Sequence, residues 1–246
     1  MADGPPILSS ALATDGVPVV TVEPAEESTN EIGASIAVVH AVAETVRGVD
    51  FPVVLSANCN SSLGTITGIG GDVGVVWFDA HADFNTPDTT GSGFFDGMGL
   101  AILTGTGWAR LREGLATVPE EHVVHVGARD IDDSERERLE ASEIQVVRRP
   151  PLDAALDSLR ERVDAVYVHV DLDVLDPSVG RANAWAAPDG LLTEELTAAI
   201  DAIAGRFDVR AAAFTAYDPA CDPEGGIPRA TRAAYERLLA AKGVAA

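Results

Sequence analysis

Short apolar runs alternate along the chain with longer segments whose apolar residues recur every three to four positions. The runs are rich in valine and isoleucine and predict strands over residues 17–22, 53–56, 73–79, 122–127, 144–147, 165–171 and 209–215. Helical spacing covers 31–47, 133–141, 152–162, 193–205 and 228–241, with a start signal in the "TEEL" at Thr193. Several strands are apolar throughout, the mark of a sheet buried on both faces. The alternation predicts an α/β fold: a doubly wound, mostly parallel sheet with helices on both sides, in one domain over residues 1–246. In such a sheet, ligands bind beyond the carboxyl ends of the strands.

Two of those ends carry unusual chemistry. "WFDAHADFN" closes an apolar strand by placing Asp79, His81 and Asp83 at alternate positions, on one side of an extended chain. "YVHVDLDVLDP" repeats the pattern with Asp171 and Asp173. Either motif alone has a plain reading, since a strand-terminal aspartate commonly caps the next helix. Together they assemble four carboxylates and one imidazole with no cationic partner nearby in sequence. Burying such charges unpaired is unfavourable by many kcal/mol, so either their pKa values rise or cations sit between them. Carboxylate oxygens with one imidazole suit an ion such as Mn²⁺. Shared carboxylates suggest two ions about 3.5 to 4 Å apart, an arrangement that activates water for hydrolysis.

"DAHADFNTP" followed by "HVDLDVLDP" in an alternating α/β chain resembles the ureohydrolase family of arginases, agmatinases and formimidoylglutamases, over about residues 52–219. The resemblance implies a three-layer α/β/α sandwich. It also implies hydrolysis of a guanidino or formimino group at a binuclear manganese centre, and a homo-oligomer, trimer or hexamer. Carried over by position, Asp79 and Asp171 would bridge the two ions, Asp83 would complete one site, and His81 with Asp173 the other. Hydroxide activated there would attack the amidine carbon, with Asp83 and Asp96 as the catalytic carboxylates. In "NTPDTTGSGFFDG", Asn85, Thr90 and Ser92 stand where the family holds a substrate α-carboxylate; in "GARDIDDSE", Asp132 and Glu135 stand where it reaches the α-amino group. Loops this rich in Gly, Thr and Asp also form turns whatever their function.

The chain departs from the family pattern at three positions. Where the family writes G-G-D-H-S, this sequence writes "SANCN", so Cys59 replaces a metal-binding histidine. A thiolate ligand is softer than imidazole and favours Zn²⁺ or Fe²⁺ over Mn²⁺ at that site; alternatively Cys59 stays a protonated core residue. Asp96 stands at the place of a proton-shuttling histidine, a task a carboxylate performs only with a raised pKa. Ala216, in "AFTAYDP", replaces the glutamate that grips the guanidinium, leaving Thr215 to offer a weaker hydrogen bond. His169 shares a face with Asp171 and reads either as support for a metal ligand or as a plain buried histidine. His40, His122 and His125 read as structural, and Trp185 falls in a loop bordering the family's active site. The family's usual first strand has no counterpart before "ILSSALATDGVPVV", which leaves a sheet edge exposed or covered by a neighbouring subunit.

A net charge of −22 argues against nucleic acid and against an anionic membrane as partners. Two cysteines cannot make a disulfide framework, and "MADGPP" opens no secretory pattern, so a cytoplasmic location is expected. The reading is a metal-dependent hydrolase that cleaves a C–N bond in an amidine or guanidine of amino-acid character. Its rival is a catalytically silent metal-binding or regulatory member of the same fold.

Overall fold

Why the carboxylates meet is a matter of strand order. In the computed structural model, which describes residues 1–24, 28, 30–107 and 109–244, the strands are β1 (Val53–Ser56), β2 (Gly74–Phe78), β3 (Val123–Val126), β4 (Gln145–Val147), β5 (Ala165–Asp171) and β6 (Asp208–Thr215). They form one sheet in the order β1-β6-β5-β2-β3-β4, with every pairing parallel. From β2 the chain winds outward through β3 to β4; from β5 it winds the other way to β6. The direction therefore reverses between β2 and β5, whose pairing sets Phe78 opposite Val170. That reversal opens a crevice at the carboxyl ends, the place where open α/β sheets bind ligands. The motifs after Phe78 and Val170 both run into it.

Helices cover both faces, as expected. Gly4–Ala11 (α1), Asp153–Arg160 (α6), Thr193–Ala204 (α7) and Gly226–Ala241 (α8) pack on one side with Val76, Phe78, Val168, Val170 and Phe214. Glu31–Val46 (α2), Ser61–Ile69 (α3), Gly99–Leu103 (α4) and Asp133–Ala141 (α5) pack on the other with Val75, Trp77, Tyr167 and Ala213. Alternation along each strand assigns the faces: Asp79 continues the parity of Trp77, and Asp171 that of Tyr167, so the acidic ends turn toward the layer that holds Cys59.

One strand expectation fails. Residues 17–22 lie outside the sheet, and Val19 and Val20 are 70% and 66% exposed. β-branched residues favour a pleated, half-buried surface but make no strand without a neighbour to pair with. The chain instead starts with α1, whose Leu8 is fully buried and whose end is held by Arg232 Nη1 donating to Ala11 O at 3.2 Å and Ala13 O at 3.1 Å.

Among the described residues no helix is long and apolar enough to cross a membrane. Helix α3 presses its glycines on α2: a Cβ added at Gly64 would stand 2.2 Å from Val39 O, and one at Gly68 2.2 Å from Val46 Cγ2 and 2.5 Å from Ala43 O. Hydrogen there is what lets the two backbones touch. Gly64→Ala, which gains helix propensity, is therefore expected to destabilise the fold by about 1 to 3 kcal/mol through overpacking. Urea denaturation checks it, and an unchanged or raised midpoint contradicts the close contact.

Candidate metal centre

The strand ends need donors for their acidic groups, and the loops beyond them supply backbone N–H. Asp79 Oδ1 accepts from His81 N at 2.8 Å, and its Oδ2 accepts from Trp77 Nε1 at 3.2 Å. Asp171 Oδ1 accepts from Asp173 N at 2.8 Å. Asp173 Oδ1 accepts from Ala80 N at 3.2 Å, tying one motif to the other, and its Oδ2 accepts from Asn183 Nδ2 at 3.1 Å. Asp83 differs. Its backbone is left-handed, at φ 49°, and is held there because its carbonyl accepts from Leu100 N and Ala101 N at the start of α4, at 3.0 and 3.1 Å. Its buried Oδ2 has no hydrogen-bond partner.

Two ligand-like groups share Asp79. Atoms of Asp79, His81 and Asp173 lie within 4.8 Å of one another, and so do atoms of Cys59, Asp79 and His169. His81 Nδ1 is 3.4 Å from Asp79 Oδ1 and 3.3 Å from Asp173 Oδ2. Carboxylates about 4 to 5 Å apart repel by about 3 to 4 kcal/mol at an effective dielectric of roughly 20. Burial, followed by the neighbouring carboxylates, accordingly pushes Asp79, Asp83 and Asp171 above the ordinary carboxylate range. Burial also raises Asp173, but the hydrogen bond and charge of His81 outweigh it and bring it to about 2. For His81, burial works against the imidazolium, yet Asp173 and Asp79 prevail and push it up to about 12. The imidazolium of His81 and the raised carboxyls both lower the net charge of the cluster.

Cys59 enters from the loop before α3. Burial, then the charges of Asp171, Asp83, Asp96 and Asp79, raises its thiol, which donates to Asp171 Oδ2 at 2.9 Å and lies 3.2 Å from Thr215 Oγ1. Asp96 accepts from Cys59 N at 3.1 Å and from Asn60 N at 3.0 Å, satisfying orphan donors ahead of α3. Burial pushes Asp96 up to about 6 in spite of those hydrogen bonds.

The residues expected to face a substrate spread over two loops. Asn85 Nδ2 approaches Asp132 Oδ2 at 3.4 Å. Thr90 and Ser92 brace their own turn through Gly93 N and Phe94 N, at 3.0 and 3.1 Å. Glu135 is buried and accepts from Phe84 N at 2.7 Å; burial brings it to about 7. It therefore anchors the first motif from below, whereas Asp132 is exposed. Trp185 is half exposed and stacks on Phe94 with centroids 5.6 Å apart, joining the loops that follow the two motifs.

Sequence reasoning missed Asn183, which holds Asp173 and also donates to Ala216 O at 3.0 Å; its place shortly after "DLDVLDP" was the available signal. Arg129 was missed too. It donates to the carbonyls of Asp173 at 2.7 Å and Ala187 at 3.0 Å, fixing the second motif's backbone from β3. Ala216 itself is buried with φ 61°, so no carboxylate reaches the site from that position.

Comparison with known proteins identifies the family and the fold. The family model described as Arginase family matches residues 10–241. The N(omega)-hydroxy-L-arginine amidinohydrolase of Streptomyces lavendulae is 36% identical over 173 residues, covering 68% of this chain and 61% of that protein. The arginase of Bacillus caldovelox is 31% identical over 197 residues, 74% of this chain and 66% of its own length. Both matches thus span less than two thirds of the relative. The crystal structure of arginase from Bacillus subtilis superposes with a TM-score of 0.80 at 28% identity, covering 96% of this chain and 91% of that one. Formimidoylglutamase from the same species, at 20% identity and a TM-score of 0.77, shares the fold. With the α/β sandwich, the crevice between β2 and β5 and the match along nearly its whole length, the chain belongs to the arginase family.

Proposed function

We propose that this chain is a metal-dependent hydrolase of a C–N bond in a guanidino or amidino compound with an amino-acid head. The observation that carries the reading is the junction at Asp79, where two ligand-like groups meet beside an unpartnered buried carboxylate oxygen of Asp83. Buried polar atoms in native proteins are normally paired, so that oxygen suits a missing cation. The donor chemistry fits: His81, Asp79 and Asp173 would hold one cation such as Mn²⁺, and the carboxylates of Asp83 and Asp171 with the Cys59 sulfur would be ligands for a second. When bound, such ions activate water and polarise the amidine.

The chain's own residues do the rest. Asp96, held at about 6 by burial, can exchange a proton near neutral pH and so serve the leaving amine. Asn85, Thr90 and Ser92 offer donors at the rim, and Asp132 a carboxylate for an α-amino group. Because Ala216 supplies no anion, the site favours a guanidine made less basic by an N-substituent over plain arginine. The similarity to an N(omega)-hydroxy-L-arginine amidinohydrolase supports that choice.

A second reading, a silent binding protein with a single cation, draws on Cys59, whose thiol occupies Asp171 Oδ2. Urea release separates the two. The expected result is turnover of N(omega)-hydroxy-L-arginine well above that of L-arginine in Mn²⁺ buffer, with Ala216→Glu narrowing the gap by raising the arginine rate. Metal uptake without hydrolysis of either compound would favour the silent protein.

The pH dependence follows from the raised groups. Carboxyls whose folded pKa lies above the unfolded value contribute stability at low pH and lose it as pH rises through the folded value; His81, raised to about 12, acts in the same direction above its unfolded value. Asp173, lowered to about 2, acts oppositely in acid, and His125 and His169, which burial lowers, act oppositely as pH rises through their unfolded value, so the raised carboxyls and His81 carry the trend above it. Metal-free protein should therefore melt lower at about pH 8 than at about pH 6, and the Tm gain from Mn²⁺ should be larger at the higher pH, because the cation displaces protons. Melting curves with EDTA or Mn²⁺ test this; a gain that shrinks as pH rises would contradict cation binding at these carboxylates.

A further inference from the structure

His169 lies in the middle of β5, fully buried. One face of its ring stacks on Trp77, with centroids 3.7 Å apart, and Nδ1 is 2.8 Å from Ser62 Oγ. That short contact lets Nδ1–H donate to the hydroxyl, which leaves the lone pair on Nε2. Nε2 has only Thr215 Oγ1 at 3.5 Å, a long contact, and Thr215 lies closer to Cys59 Sγ, at 3.2 Å. The imidazole is thus held rigidly by one nitrogen while the other, poorly satisfied, points toward Cys59 and Asp79, with donor atoms of all three within 4.8 Å. Held in this way by a hydroxyl, a histidine has the arrangement of a metal ligand with its outer partner.

We propose that Cys59, Asp79 and His169 form a thiolate, carboxylate and imidazole site for a borderline-soft divalent cation such as Zn²⁺, with His169 supplying from the sheet the imidazole that position 59 lacks. The proposal rests on the reading of the Asp79 junction as a cation centre. Its donor set differs from the oxygen-rich Asp79, His81 and Asp173 group and is that of zinc, not manganese. Tetrahedral zinc brings such donors to about 3.3 to 3.7 Å of one another, so loading needs side-chain closure on the order of 1 Å. Loading breaks the Cys59 S–H bond; the sulfur bonds to the ion, the proton leaves to solvent, and Asp171 Oδ2 is freed of its thiol donor. A second observation points into the same place. Asp83 Oδ2 is buried without a partner, and the Asp83 carboxylate is one whose charge acts on Cys59.

Protein stripped with EDTA and reloaded with about one equivalent of Co²⁺ or Zn²⁺ tests the site without an activity assay. The expected result is a thiolate-to-cobalt charge-transfer band in the near ultraviolet, absent in Cys59→Ser and retained in His81→Gln. Zinc X-ray absorption should show one sulfur and an imidazole that survives His81→Gln but is lost in His169→Gln, whose metal affinity should fall by at least about 10- to 100-fold. Metal-free circular dichroism and Tm establish that each variant folds; should His169→Gln not fold, the sulfur band and the imidazole remaining in His81→Gln still decide. Metal bound through oxygen and His81 alone, with no sulfur, overturns this proposal and leaves the hydrolase reading standing. No metal bound at all overturns both.

Discussion

Four carboxylates meeting in a buried crevice is the constraint to which the rest of this structure answers. Asp79, Asp83, Asp171 and Asp173 are all less than a tenth exposed; the cationic group that reaches their oxygens is the imidazole of His81, with the Arg129 guanidinium held on the Asp173 carbonyl behind them. The fold lowers the repulsion as far as neutral groups can, by aiming Ala80 N, His81 N, Asp173 N, Trp77 Nε1 and Asn183 Nδ2 at carboxylate oxygens. Such donors favour the ionised forms but do not cancel the charge. Protons or cations must supply the remainder. This explains why the crevice sits at the reversal between β2 and β5: two parallel strands ending side by side can present carboxylates from both chains while their following loops turn N–H groups back.

Cys59, Asp96 and Ala216, read from the sequence as three separate departures from the family pattern, converge in space. Cys59 and Asp96 share a backbone hydrogen bond, and Thr215, the neighbour of Ala216, touches the Cys59 sulfur and lies near His169. One side of the centre thus combines a thiol, the Asp96 carboxylate and an alanine at 216, while the side holding His81, Asp173 and Asn183 has oxygen and imidazole donors. Among the described residues Asp79 belongs to both ligand-like groups, and Asp171 ties the two sides by accepting from Cys59 Sγ and Asp173 N.

The period-two aspartates after apolar runs were legible because strand geometry alone puts alternate residues on one side, and β5 emerged over the residues that its apolar run predicts. Helix α3 was not legible. "SSLGTITGI" is rich in glycine and β-branched residues, poor helix formers on their own, and it is helical because Asp96 serves the N–H groups ahead of it and α2 packs against its glycines. The false strand at 17–22 failed for the complementary reason: local propensity was present and a pairing edge was not. Glu135 shows the limit for site residues. Its position by motif places it where the family reaches an α-amino group, but a side chain's direction depends on what its helix packs against, and α5 sets its carboxylate against Phe84 N.

The grip of Asp96 on the N–H groups of Cys59 and Asn60 has an evolutionary consequence. A carboxylate that shapes the loop of its neighbour couples positions 59 and 96 through the backbone rather than through their side chains. A histidine at 59 would enter a loop whose path is set by an anion, and a histidine at 96 would leave two backbone donors without their acceptor, at a cost of about 1 to 3 kcal/mol for each one buried. A step to histidine at 96 therefore passes through a less stable protein, whereas a step to histidine at 59 leaves both backbone bonds in place.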